Sequence, residues 1–443
     1  MSLIQTTDNS SKKISNLNLD ASDIENLRKI ANVPIAQISL DENPNLLVFP
    51  RDWNHYGDEI SESQILSISE YDISTGNIMG FVGVNDTQLD IKSRFTPISS
   101  QDYFLHYMLQ KVFSINLFDI QHTISKQPIF DFLLYLFPHF LKKALAQGLF
   151  KKYKHYEYND ANLRGPIDVN RHIRQNIPFR GTVAYSTREH SYDNEVTQLI
   201  RHTIEYIRAK EQGSAILNND VEMKTCVAQI VTATQSYNVR DRSKVIGLNL
   251  RPVRHPYYSA YTALQKICLQ ILRHESIKYG QEKDKVYGVL FDGAWLWEEY
   301  LDTFMKDCGF HHPKNKEHKG GFRMFADEKE DEIISKNSRR LYPDFWKDGF
   351  ILDAKYKHLN NGVGREDLYQ VVTYMYCTES KVGGYLFPCE EEIKSSHYKL
   401  NGYGGSIHLF LFHVPQQAEN YPSFVKMMEA EETAICDIIK RIR

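Results

Sequence analysis

The chain has 443 residues, 42% hydrophobic and 25% charged, with a formal net charge of −3. That length exceeds what one ordinary core organises, so two or three domains are expected, with the composition of a globular protein. Near-neutrality excludes a global basic field, so any contact with nucleic acid has to come from local patches.

In chain order, residues 1–20 are polar and rich in Ser and Asn, which reads against a secretory leader. Ser22-Asp23-Ile24-Glu25 reads as a capping box opening a short helix with Ile24, Leu27 and Ile30 on one face. Between 35 and 95 the pattern turns to strands at 45–49, 64–71, 78–84 and 89–94, punctuated by Ser74-Thr75-Gly76-Asn77 and Asn85-Asp86. Helical periodicity follows at 102–113 and 129–149, with Gly148 marking the end of a largely buried helix. The apolar run 132–137 is broken by Pro138 and followed by Lys142 and Lys143, too short to span a bilayer.

Lys151-Lys152-Tyr153-Lys154-His155-Tyr156-Glu157-Tyr158 mixes bases with aromatics. It could track a phosphate backbone, but a solvated helix end packing its tyrosines is the default reading. A polar section at 162–191 leads to helices at 194–210, 220–236 and 257–279, then a short apolar strand at 286–290 and a helix through Trp295-Leu296-Trp297-Glu298-Glu299-Tyr300-Leu301. Segments 311–323 and the acidic run 327–332 read as solvated loops. Strands at 340–346 and 350–356, a helix at 365–377, strands at 382–388 and 406–414 and a helix at 423–442 complete the pattern. The fold class expected is α/β (α+β), with a mixed sheet flanked by helices at the C-terminal end. The expected divisions are 1–45, an extension with a short helix; 46–125, β-rich; 126–280, mainly helical; and 281–443, the domain bearing the chemistry. The six cysteines are scattered without metal-finger spacing, so a reduced, cytoplasmic location is expected.

The densest chemistry lies at Tyr342-Pro343-Asp344 and Phe350-Ile351-Leu352-Asp353-Ala354-Lys355. These read as neighbouring arms of a hairpin, and side chains at i and i+2 of a strand share a face, so Asp353 and Lys355 leave an apolar strand on one side. Burying such charges is costly unless they pair or bind a metal. Phosphodiester hydrolysis by a divalent metal needs hard oxygen ligands and stabilisation of charge at the phosphate. Asp344, Asp353 and the carbonyl of Ala354 can supply the oxygens, and Lys355 can act on water and on the developing charge. A glutamate from the preceding helix would complete the metal set, with Glu298 favoured over Glu299. Gln370 and Tyr374, four apart on one helix, would support the water or a phosphate. The bland alternative is a strand-end ion pair beside solvated glutamates; the ordered combination favours a nuclease. No Walker-type motif or nucleophile elbow is present, so the chain itself is expected to bind no nucleotide. Gly402-Tyr403-Gly404-Gly405 reads as a turn before a strand, and His311-His312 as a surface pair without ligand partners.

Leu341-Tyr342-Pro343-Asp344, Ile351-Leu352-Asp353-Ala354-Lys355-Tyr356-Lys357 and Asp367-Leu368-Tyr369-Gln370 resemble the PD-(D/E)xK nuclease core of the McrC family, the cleavage subunit of modified-cytosine restriction systems. Gly148-Leu149-Phe150-Lys151-Lys152-Tyr153, Leu163-Arg164-Gly165-Pro166-Ile167-Asp168, Glu189-His190-Ser191-Tyr192-Asp193-Asn194-Glu195 and Leu296-Trp297-Glu298-Glu299-Tyr300 extend the likeness. The resemblance implies Mg²⁺, with Mn²⁺ as a substitute, and double-stranded DNA as substrate. It also implies an McrB-like hexameric AAA+ GTPase or ATPase that delivers the DNA and docks the N-terminal region. The LlaJI-type branch pairs a similar nuclease with a sequence-reading motor, and double-strand cleavage makes pairing of nuclease halves plausible. Rival readings are a non-catalytic activator and DNA clamp for an AAA+ motor, and a standalone restriction nuclease. No membrane contact is expected.

Overall fold

The computed structural model describes residues 2–17, 19–38, 46–50, 63–97, 101–113, 128–210, 213–218, 220–278, 286–313, 320–324, 340–359, 362–391, 395–402 and 404–442, apart from the side chains of 128–132, 274–278 and 287. The acidic run 327–332 lies outside them. Two compact units form, one from 1–118 with 282–443 and one from 119–281. The architecture is mixed α/β.

In the first unit a five-stranded sheet runs in the order Ser2–Thr7, Thr87–Lys92, Ile78–Val84, Val286–Asp292, Leu46–Phe49. The central partner of Ile78–Val84 thus comes from more than two hundred residues downstream, antiparallel to it, while Leu46–Phe49 joins in parallel. The two central strands touch closely enough that a Cβ on Gly80, where φ is +120°, would sit 2.2 Å from the Val289 carbonyl oxygen, so only glycine fits there. Ile4, Leu27, Ile65, Val82, Leu89 and Leu290 share the core on this sheet. The polar N-terminal stretch is therefore a strand, because its alternate residues Ile4 and Thr6 are buried. The helix Ala21–Arg28 is capped by Asp20, not opened at Ser22: Asp20 accepts from the Asp23 backbone N–H at 2.7 Å, and Asp23 accepts from that of Asp20 at 3.3 Å. Asp23 is also held by the Thr87 hydroxyl at 2.8 Å, which fixes it at the third helical position.

The second sheet of this unit runs Phe345–Lys347, Phe350–Ala354, Val382–Cys389, Ser406–His413, Ser396–Lys399. Its three central strands are parallel and both outer pairings antiparallel. Central strands of this kind are covered on both faces and read as continuous apolar runs. The helix Arg365–Cys377 presses Val371 and Met375 onto Ile351, Tyr385, Phe387 and Ile407. A Cβ on Gly383 would lie 2.4 Å from the Met375 sulfur, so glycine lets the helix settle that close. Each fully buried aliphatic side chain here contributes roughly 1.5–3 kcal/mol. Elsewhere in the unit the buried Glu432 accepts from the hydroxyls of Tyr107 (2.7 Å) and Tyr300 (2.9 Å) and pairs with Lys111 (3.1 Å), tying together the helices Tyr103–Phe113, Gly293–Met305 and Tyr421–Arg441. Cys308 and Cys436 are joined as a disulfide, with Cα atoms 5.8 Å apart, while Cys226, Cys268, Cys377 and Cys389 are free thiols. Sequence spacing alone left that pair unread.

The second unit packs the helices Pro128–Leu145, Glu195–Arg208, Val221–Ala233 and Ser259–Lys278 together and extends a two-stranded sheet, Lys152–Asp160 with Val183–Ser191. The segment 151–158 is thus a strand rather than a helix end. Its partner is supplied by the polar stretch after 162, which also contains the short helix Val169–Asn176. Among the described residues no helix is long and apolar enough to cross a membrane.

Candidate active site

The apolar run Phe350-Ile351-Leu352 is buried on both faces of its sheet, and the alternation carries on past it. Ile351 faces the helix Arg365–Cys377, so Asp353 and Lys355 emerge beside that helix at the C-terminal end of the strand, where parallel α/β sheets place their ligands. The opposite face keeps Tyr356, whose hydroxyl lies 2.7 Å from Ser93 Oγ and 3.1 Å from the Met79 sulfur in the N-terminal part of the same unit.

A cavity of about 440 Å³ opens here, and Glu298, Asp344, Asp353, Ala354, Lys355 and Gln370 all line it. The six residues singled out in the sequence are therefore neighbours. Asp344 Oδ2 accepts the Ala354 backbone N–H at 2.7 Å, which locks one arm of the hairpin to the other. Lys355 Nζ is 2.8 Å from Asp353 Oδ2 and 3.3 Å from Asp367 Oδ1, and Lys357 Nζ is 2.5 Å from Asp367 Oδ2. Gln370 donates to the Tyr374 hydroxyl at 2.8 Å, both on the cavity wall. Glu298 lines the cavity, whereas Glu299 accepts from Trp295 Nε1 at 3.2 Å.

Burial, and then the Asp344 carboxylate within hydrogen-bond reach, push Asp353 up to about 8 against the pull of Lys355. Burial works against the Lys355 ammonium, but Asp353, Asp344 and Asp367 outweigh it and hold its pKa above the ordinary value. A buried carboxyl, Asp353, adjoining the half-buried Asp344, so that the pair resists carrying two charges, suits a hard divalent cation, which would replace the proton. Among the described residues no three His, Cys, Asp or Glu side chains gather closely enough to hold an ion among themselves. Asp344, Asp353 and the Ala354 carbonyl therefore form a set that suits Mg²⁺, which usually takes one or two carboxylates and fills its other positions with water and phosphate.

The family model for the McrBC 5-methylcytosine restriction system component matches residues 73–388. The chain belongs to this family. No curated protein matches it. Among solved structures, a chain of the refined half-complex from a tetradecameric assembly of Thermococcus gammatolerans McrB AAA+ hexamers with bound McrC is similar at 15% identity and a TM-score of 0.50, over 97% of this chain and 100% of that one. A chain of the T. gammatolerans McrBC complex by cryo-EM has 15% identity and a TM-score of 0.36, over 69% of this chain and 88% of that one. The first likeness gives this McrBC family member its fold relative.

Three further residues at the site were missed in the sequence. His312 is not a loose surface group: its Nδ1–H donates to the Asp344 carbonyl at 2.6 Å and its ring stacks on Phe345 at 4.9 Å, while His311 pairs through its backbone with Trp346. Asp367 bridges the two lysines, and Arg340 adds a cation to the cavity wall. Asp367 stood inside a quoted motif, and only the turn of its helix toward Lys355 reveals its role. For His312 the histidine pair itself was the signal, without a visible partner.

Proposed function

We propose that this chain is the DNA-cleaving subunit of an McrBC-type restriction system, a cytoplasmic Mg²⁺-dependent endonuclease acting on double-stranded DNA. The observation that supports the reading is the convergence of Asp344, Asp353 and Lys355 on one cavity, with the two carboxyls adjoining and the ammonium 2.8 Å from Asp353. Asp344, Asp353 and the Ala354 carbonyl would hold the metal, with Glu298 as a further carboxylate on the wall. Mg²⁺ bound there would polarise the scissile phosphate and acidify water.

The residues of the chain do the rest. Lys355 stays protonated beside its carboxylates, where it can hold the attacking water and offset negative charge building on the phosphate. His312 and the Ala354 N–H fix Asp344 from both sides, so the carboxylate is preorganised. Gln370 and Tyr374 present amide and hydroxyl to water or a non-bridging oxygen, and Arg340 and Lys357 offer positive charge to flanking phosphates.

The chain has no nucleotide motif of its own, so an McrB-like AAA+ hexamer using GTP or ATP is proposed to deliver the DNA. The family match and the fold shared with a chain of an McrB–McrC assembly support that partner. The test is Asp353→Asn in the reconstituted complex with Mg²⁺ and plasmid DNA. Cleavage is expected to fall at least about a thousandfold while stimulated nucleotide hydrolysis by the partner persists. Unchanged cleavage overturns the nuclease reading in favour of an activator.

A further inference from the structure

The nuclease reading leaves unused a groove of about 1000 Å³ in the middle unit, at the base of the Lys152–Asp160 and Val183–Ser191 sheet. Lys151, Lys152, Arg251 and Arg254 line it against a single carboxylate, Glu195, which Lys152 already neutralises. Among the described residues Lys151, Arg251 and Arg254 have no acidic partner. In a chain of net charge −3 this is a marked local excess of positive charge.

Aromatic rings are interleaved with these cations. Tyr257 is 66% exposed and Tyr153 53% exposed, although tyrosine rings are usually covered. Tyr153 stacks on His190, its cross-strand partner, at 3.9 Å, and the Arg188 guanidinium lies 4.9 Å over the Tyr153 ring. His155 and Arg188 pair next along the same face, so the track continues from the groove onto the sheet. The acid on that face, Glu157, is held by Arg171 at 2.5 Å.

The loop bearing Arg251 and Arg254 is built rather than loose. Buried Gln265 donates to the carbonyls of Asn249 and Arg251, both at 3.1 Å, and accepts the Val253 N–H at 2.8 Å. Thr262 adds a bond to the Val253 carbonyl at 2.6 Å. Below it, Phe150 packs against Tyr258 and Tyr261 as a rigid floor. Ordering costs are thus met before a ligand arrives.

The geometry points to a binding site for single-stranded DNA in the middle unit, with Lys151, Arg251 and Arg254 on phosphates, Tyr257 as the stacking face for a base, and the Tyr153–His190–Arg188 stack as the wall that continues the track. Fixed cations along an open groove complement a polyanion, and exposed ring faces serve unpaired bases, since those of a duplex are already stacked. The site is separate from the Asp353 cavity and does not depend on it.

The test measures anisotropy of a short fluorescein-labelled oligo(dT) and of a duplex of equal length, using the full chain in EDTA so that nothing is cut. Arg251→Glu with Arg254→Glu is expected to weaken oligo(dT) binding at least about tenfold and to lower the salt slope by about 1.4, the loss of two phosphate contacts. Tyr257→Ala is expected to cost about tenfold at nearly unchanged slope. The Lys,Lys double variant should retain most binding, which separates lost charge from lost fold. Unchanged oligo(dT) affinity in the Glu,Glu variant overturns the site, as does a loss of duplex affinity in that variant as large as its loss of oligo(dT) affinity. Loss of the partner's stimulated hydrolysis with DNA binding intact overturns it in favour of a protein interface. These losses are read in EDTA at Arg251, Arg254 and Tyr257, none of which lines the Asp353 cavity, so failure of the groove and failure of the nuclease site read out separately.

Discussion

The cavity at Asp353 and the groove at Arg251 handle charge in opposite ways. In the first, the central charges are tied to one another: Asp353 to Lys355, Lys355 to Asp367, Asp367 to Lys357, with the burial of Asp353 beside Asp344 favouring its protonated form. In the second, cations stand exposed with no acid answering Arg251 or Arg254 among the described residues. Closely coupled, buried charge is what chemistry needs, because it fixes protonation states and geometry before substrate arrives. Unanswered, exposed charge is what polymer binding needs, because its value is released only when a polyanion displaces counterions. A near-zero net charge conceals both, which is why composition alone argued weakly for nucleic acid.

The sharpest way to break this contrast is to titrate the buried Asp353. Asp353 is raised in the folded state, so the metal-free protein binds an extra proton there and loses stability as pH climbs from about 4 to about 8. On the proposed reading Mg²⁺ displaces that proton, so its affinity is expected to rise about fiftyfold between about pH 6 and about pH 8. Calorimetry with Mg²⁺ at the two pH values checks this, with oligo(dT) binding in EDTA as the contrasting control. A pH-independent Mg²⁺ affinity would show that the carboxyls are not coupled as described.

A smaller effect is expected at Asp367. Asp367→Asn removes one of the carboxylates that hold the Lys355 ammonium, leaving Asp353 and Asp344. Cleavage should fall about tenfold, and the alkaline limb of its pH profile should move to lower pH as Lys355 becomes easier to deprotonate. A lower rate with the limb unmoved would mean that Asp367 serves packing alone.

Much of the cavity was legible because it is written at short range. Alternation along Phe350–Ala354 put Asp353 and Lys355 on one side, and spacing four put Gln370 with Tyr374, both consequences of local backbone geometry. Glu298 was favoured over Glu299 from the sequence, and the docked helix puts Glu298 on the cavity wall, whereas Asp367 and His312 gained meaning only from partners on other elements. The groove was far less legible. The strand Lys152–Asp160 is exposed over its first four residues and only half-covered at Tyr156, Tyr158 and Asp160 beyond them, so no buried apolar alternation marked it, and its partner lies beyond a polar stretch containing its own helix. Long-range pairing explains the other misses: Val286–Asp292 enters the N-terminal sheet, and the polar Ser2–Thr7 gains strand structure only beside Thr87–Lys92.

The smallest expected effect separates scaffold from chemistry. Glu432 sits under the helix that carries Glu298 and accepts from Tyr107 and Tyr300 while pairing with Lys111. Glu432→Gln keeps the shape and one acceptor but removes the charge facing Lys111, whose side chain is only 28% exposed. Weakening charged hydrogen bonds of this kind costs on the order of 1–3 kcal/mol, so the thermal midpoint should drop by several degrees. If the helices are merely clamped by Glu432, cleavage per folded molecule and oligo(dT) affinity should both stay within about twofold of wild type, because neither charge system includes this residue. A selective fall in cleavage without a fall in thermal midpoint would place Glu432 in the working site, and the line drawn here between clamped scaffold and coupled charge would have to move.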